Sequence, residues 1–119
     1  MDYKVIITTG AVDHGGTDAR VYITLTGTNG SSGLQNLDNV QNNFEKGKVD
    51  EFKITCEDLG DLEYATIQHD NSGKYPGWYV DRIEVHSVAG QAWAASNIGW
   101  LRIRDKPFSL GATAKLNRI

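Results

Sequence analysis

Cysteine is nearly missing from this chain of 119 residues: Cys56 is the one present. An internal disulfide is therefore excluded. Cys56 closes the segment Phe52-Lys-Ile-Thr-Cys56, which reads as a strand, and is expected to pack as a small apolar side chain. Proline is almost as scarce, with two residues, both at turns or loop edges. No stretch approaches the ~18 consecutive apolar residues of a membrane-crossing helix. Met1-Asp2-Tyr3 leads straight into a strand pattern without a basic and apolar leader, so a targeting signal is absent, has been removed, or belongs to a longer parent chain. The compartment stays open, and peripheral membrane association is compatible with all of this. Basic residues do not dominate: 12 Lys and Arg stand against 15 Asp and Glu, a formal net charge of -3. That balance argues against a nucleic-acid module. It also argues against attraction to anionic lipid by charge alone, unless a cation bridges the two. The nucleophile elbow Gly-x-Ser-x-Gly and the zinc pattern His-Glu-x-x-His are both missing. His14, His69 and His86 are too scattered for a zinc site.

Helical periodicity is weak as well. Residues 34–45 place Leu34, Leu37 and Val40 at near-helical spacing, but the segment carries four asparagines. It reads as a long loop with at most one turn of helix. What fills the chain instead is alternation. Val5 and Ile7 alternate with Ile6 and Thr8; Val21, Ile23 and Leu25 with Tyr22, Thr24 and Thr26; Phe52 and Ile54 with Lys53 and Thr55. Leu62, Tyr64 and Ile67 lie in a further strand. Val80, Arg82 and Glu84 alternate with Tyr79, Asp81, Ile83 and Val85, as in a half-buried antiparallel strand. Trp93 falls in one strand, Trp100, Leu101 and Ile103 in a later one, and residues 112–116 offer a last short strand. The 13 glycines fall mostly between these runs. Short strands with turn signals every ~8–12 residues predict a sandwich or barrel in one domain, residues 1–119.

Five ordered blocks carry a family resemblance: Tyr3-Lys-Val-Ile-Ile-Thr-Thr-Gly10; Gly16-Thr-Asp-Ala-Arg-Val-Tyr-Ile-Thr-Leu-Thr-Gly27; Asn42-Asn-Phe-Glu-Lys-Gly-Lys-Val-Asp-Glu-Phe52; residues 59–85 with His69-Asp-Asn-Ser-Gly73 and Pro76-Gly-Trp-Tyr79; and Gly99-Trp-Leu101. At this order and spacing the chain resembles the PLAT domain, named for polycystin, lipoxygenase and alpha-toxin. The resemblance implies an all-β, antiparallel β-sandwich of two four-stranded sheets. It also implies a non-catalytic module that docks enzymes or receptors onto membranes or partner proteins, often with calcium.

Calcium is a hard cation that takes about six to eight oxygen ligands, backbone carbonyls included. Asp13-His-Gly-Gly-Thr-Asp18 combines two carboxylates with glycines that can present carbonyls. Asn42-Asn43-Phe44-Glu45 adds two amide oxygens and a carboxylate. By resemblance, Gly16, Thr17, Asp18, Asn42, Asn43 and Glu45 match calcium-binding positions of PLAT domains. A second family site departs from the pattern. Gly77 stands where calcium-dependent relatives carry an aspartate before the Trp-Tyr pair, and His14 stands where alpha-toxin carries one. Asp13, His14 and Asp70 are the secondary candidates there. Each of these residues also has a plain structural reading. Asp and Asn favour turns for their local hydrogen bonds, Asp18 precedes a strand and can cap it, and residues 69–71 read as a structural turn. Asp50 belongs to the structural block Gly47-x-x-Asp-x-Phe52.

Aromatic residues supply the second thread. Trp78 and Trp93 are expected in the core. Trp100 follows a Ser-Asn-Ile-Gly stretch read as a loop, and by resemblance matches a lipid-contacting tryptophan of lipoxygenase-type relatives. Tyr75, beside Lys74, is the other candidate for lipid contact, since an amphipathic ring suits the headgroup layer. At the loop tip near Asp13, where relatives carry aromatics, this chain has Val12 and His14. Together these readings predict a module that attaches to membrane lipid with calcium. The alternative is a protein–protein interaction module that does not require calcium.

Overall fold

The structure, a computed structural model, describes residues 1–12, 16–17, 20–38, 44–70, 78–101 and 111–119. The described residues contain strands and no helix: β1 (Asp2–Thr9), β2 (Val21–Gly27), β3 (Gly30–Ser31), β4 (Gln35–Asn36), β5 (Val49–Thr55), β6 (Leu62–His69), β7 (Trp78–Ser87), β8 (Ala92–Leu101), β9 (Gly111–Lys115) and β10 (Asn117–Arg118). One sheet has the order β10-β8-β7-β1-β5, the other β3-β2-β6-β9 with β4 also paired to β2. All the pairings are antiparallel. The expected sandwich is present. What the alternation pattern did not announce are the two-residue strands β3, β4 and β10, which bring each sheet to five.

Alternating apolar residues explain where the core lies. Val5 and Ile7 of β1, Val21, Ile23 and Leu25 of β2, and Phe52 and Ile54 of β5 turn inward and are at most 5% exposed. Their neighbours Lys4, Glu51 and Lys53 face water on the outer side of the first sheet. There Lys4 pairs with Glu51 and Lys53 with Asp2, both at 3.3 Å. Such exposed pairs are screened by water and contribute little, so burial rather than charge holds the sheets together. Cys56 lies just past β5, half-buried, and burial pushes its thiol pKa up.

Two sequence readings are corrected and a third gains detail. First, β7 does not alternate strictly. Thr8 pairs with Arg82 but Thr9 with Val80, which leaves Asp81 as an extra residue in a bulge. The bulge resets the phase, so Val80, Ile83 and Val85 all point into the core. Second, Trp93 and Trp100 share one strand, β8, and the intervening Ser-Asn-Ile-Gly stretch is not a loop. Asn97 at φ 57° and Gly99 at φ 99° absorb the irregularity opposite Asp81, so the chain bends without leaving the sheet. Ile103 lies outside the described residues. Third, the loop read over residues 34–45 holds one short strand within its described part. Gln35 and Asn36 pair with β2, and the Leu37 N–H donates to the Val21 carbonyl at 2.9 Å. Leu37 is buried while Leu34 is 58% exposed, which is not the shared apolar face of a helix.

Candidate functional site

Strand pairing brings four connections to one end of the sandwich. Thr9 pairs with Val80, Val21 with His69, Gln68 with Gly111 and Trp78 with Leu101. The links β1–β2, β6–β7 and β8–β9 therefore leave from the same end, and β4–β5 joins them because Asn36 pairs with Tyr22 and Val49 with Thr8. Two buried polar side chains tie this end together. The Trp78 indole N–H donates to Thr9 Oγ1 at 3.0 Å. His69, 3% exposed, reaches from β6 across to the other sheet, where its Nε2 lies 2.7 Å from the Leu101 carbonyl oxygen. A carbonyl only accepts, so the proton of that bond sits on Nε2.

Two of the connections touch. The Thr17 N–H donates to the Phe44 carbonyl at 3.0 Å. A side chain on Gly16 would put its Cβ 2.8 Å from that same oxygen and 3.0 Å from the Lys46 nitrogen, so only glycine permits this approach. Phe44 itself lies at φ 61°, a region that non-glycine residues seldom enter. Its ring is anchored in the core, stacked on Phe52 at 5.3 Å and edge-on to Trp78 at 5.0 Å. Its N–H donates to Oδ2 of Asp50 at 2.8 Å. The next residue, Glu45, faces solvent, and its carbonyl accepts the Lys48 N–H at 3.0 Å. Asp50 is 2% exposed; its Oδ1 lies 3.3 Å from the Lys48 ammonium but has no hydrogen-bond partner among the described residues.

The predicted ligand positions thus divide. Gly16, Thr17 and Glu45 are brought together at this contact by their backbones, with Thr17 buried and Glu45 exposed. Asp13, His14, Asp18, Asn42, Asn43, Tyr75 and Gly77 lie outside the described residues. Asp70 accepts the Arg20 N–H at 3.1 Å through Oδ1, and its own N–H donates to the Arg20 carbonyl at 3.1 Å, so it extends the β2–β6 pairing by one rung. Among the described residues no three His, Cys, Asp or Glu side chains gather around one point.

The tryptophans divide too. Trp78 and Trp93 are buried, as expected. Trp100 is half-buried, edge-on to Tyr79 with ring centroids 5.4 Å apart. Since Trp78, Val80 and Leu101 face inward, this pair stands on the outer face of the first sheet, on its last rungs before the loops. The Tyr79 ring covers Gly10, where a Cβ would come within 2.3 Å of it. The Gly10 N–H donates to the Tyr79 carbonyl at 2.9 Å, and its own carbonyl accepts the Gly47 N–H at 3.2 Å. Gly10 therefore joins the aromatic pair to the turn that carries Glu45. Tyr79 was invisible as Trp100's partner until the cross-strand register was known.

The PLAT/LH2 domain profile matches residues 3–102. Lipoxygenase homology domain-containing protein 1 of Mus musculus is 41% identical over 103 residues, covering 85% of this chain and 5% of that protein. The polycystin family receptor for egg jelly of the same organism is 36% identical over 104 residues, covering 85% of this chain and 5% of that receptor. The chain therefore spans about 5% of the length of these relatives. Among solved structures, coral 8R-lipoxygenase superposes with a TM-score of 0.86 at 25% identity, over 98% of this chain and 17% of that one. That enzyme is described as activated by calcium via a C2-like domain. No helix among the described residues is long and apolar enough to cross a membrane.

Proposed function

Since the chain belongs to the PLAT/LH2 domain family, we propose that it is a non-catalytic binding module, one domain over residues 1–119, that attaches a larger protein to membrane lipid with the help of calcium. The observation that carries this reading is the contact of Gly16 and Thr17 with the Phe44–Lys46 backbone, which leaves Glu45 open to solvent beside them. Asp18, Asn42 and Asn43 adjoin those residues in sequence and complete the proposed oxygen set. Calcium, when bound, supplies positive charge that lipid phosphates can share with the loop carboxylates. That charge offsets the net -3 of the chain, which by itself repels an anionic surface. Trp100, with Tyr79 behind it, and Tyr75 are assigned the contact with the headgroup layer.

A second reading has its own support. The Trp100–Tyr79 pair stands on a sheet face as well as near the loops, and such a face suits a protein partner without any requirement for calcium. Calorimetric titration separates the two. Heat from calcium binding that disappears in the Glu45→Gln variant supports the cation-assisted reading; a silent wild-type titration favours the protein-partner one.

A further inference from the structure

We propose that Asp50 is a positioning residue for the cation loops, setting their spacing through the backbone of Phe44. The inference rests on the reading of the loop end as a calcium site. A carboxylate 2% exposed, on the strand face that also carries Phe52 and Ile54, is costly to bury unless something holds it there. Its Oδ2 takes the Phe44 N–H at 2.8 Å, and the Lys48 ammonium faces Oδ1 at 3.3 Å. A hydrogen bond to an ionised acceptor is roughly twice as strong as a neutral one.

That bond acts on the one residue of the turn that needs it. Phe44 sits at φ 61° although it has a side chain, and such a conformation persists only when its surroundings over-determine it. The ring is held by Phe52 and Trp78, the N–H by Asp50, and the carbonyl accepts from Thr17. With those fixed, the chain turns from a buried Phe44 to an exposed Glu45, while Thr17 and Gly16 are drawn against the same peptide. Asp50 thus sets the distance between Gly16 and Thr17 on one loop and Glu45 on the other. A merely structural role would lower stability and leave cation affinity alone.

The test compares wild type, Asp50→Ala and Asp50→Asn by calcium calorimetry, well below each melting temperature. The Asn side chain keeps a neutral acceptor for the Phe44 N–H. Asp50→Ala is expected to raise the calcium Kd at least tenfold, with Asp50→Asn in between. An alanine variant that binds like wild type, or an asparagine variant as weak as the alanine one, overturns the proposal. If wild type takes no calcium, the site reading fails, and positioning is judged by amide exchange in metal-free protein. Thr17 and Phe44 amides exchanging at least tenfold faster in Asp50→Ala than in Asp50→Asn sustain it, and equal rates overturn it. If Asp50→Ala does not fold, Asp50→Asn is read against wild type: a calcium Kd, or in metal-free protein a Thr17 amide exchange rate, raised at least threefold sustains the proposal, and no change overturns it.

Discussion

Thr17 and Phe44, 27 positions apart in sequence, share a backbone hydrogen bond of 3.0 Å that joins the β1–β2 connection to the turn before β5. Gly16 makes that bond possible, because any side chain there would strike the Phe44 carbonyl. Gly16→Ala is therefore expected to push the two connections apart. Overpacking of this kind costs about 1–3 kcal/mol, and the calcium affinity should fall with it. A urea melt and a calcium titration of the same variant check both halves; an unchanged affinity would remove this contact from the site.

Calcium is expected to stabilise the fold. A ligand that binds the native state alone adds RT ln(1 + [L]/Kd), about 2.7 kcal/mol at a hundredfold excess over Kd. For a domain of this length that corresponds to a rise of several degrees in Tm. Scanning calorimetry with millimolar calcium and with chelator makes the comparison, and coincident transitions would count against the site.

Asp18→Asn and Glu45→Gln are each expected to weaken calcium binding strongly while leaving the metal-free fold intact. Neighbouring loop carboxylates repel when no cation stands between them, so neutralising one does not harm the apo protein. If Asp18→Asn lowers apo stability by about 1 kcal/mol or more, the Asp18 carboxylate holds the fold through hydrogen bonds rather than serving as a ligand.

The three tryptophans should behave differently. Trp78 is fully buried and donates to Thr9, so Trp78→Ala is expected to cost about 3–5 kcal/mol and unfold much of the population. Trp93 is 2% exposed with the Arg118 guanidinium 5.4 Å above its ring, and belongs to the same class. Trp100→Ala removes a half-buried ring from an edge-on pair, a loss of about 0.5–1.5 kcal/mol beyond the area the ring buries and well below that of Trp78→Ala, while vesicle binding drops. Paired denaturant melts and vesicle binding for each variant decide the assignment; a Trp100→Ala protein that binds vesicles like wild type would shift the aromatic pair to a protein partner.

Much of this architecture was legible from alternation, because period-two burial is a local property of a strand. Val5 and Ile7, Val21 and Ile23, and Phe52 and Ile54 read inward in the sequence and are inward in the structure. The same pattern already carried a clue to Asp50, a carboxylate in phase with Phe52 and Ile54, though it read as part of a structural block. The bulge at Asp81 was not legible, since an extra residue is defined only against its partner Thr8–Thr9. Nor was the continuity of β8 through Asn97 and Gly99, where turn-forming residues sit at a bend inside a sheet. The convergence of Gly16, Thr17 and Glu45 followed from the family resemblance. Its cause, Phe44 in a left-handed turn held by Asp50, needed the three-dimensional contact.

Vesicle co-sedimentation tests the central claim most directly. The protein is spun with phosphatidylcholine–phosphatidylserine vesicles in calcium and in chelator, with wild type and Glu45→Gln in parallel. Wild type is expected to pellet with the vesicles in calcium and to stay in the supernatant in chelator, and Glu45→Gln to stay in the supernatant in both. Wild type that remains in the supernatant under both conditions, or pellets equally in both, contradicts calcium-assisted attachment to lipid.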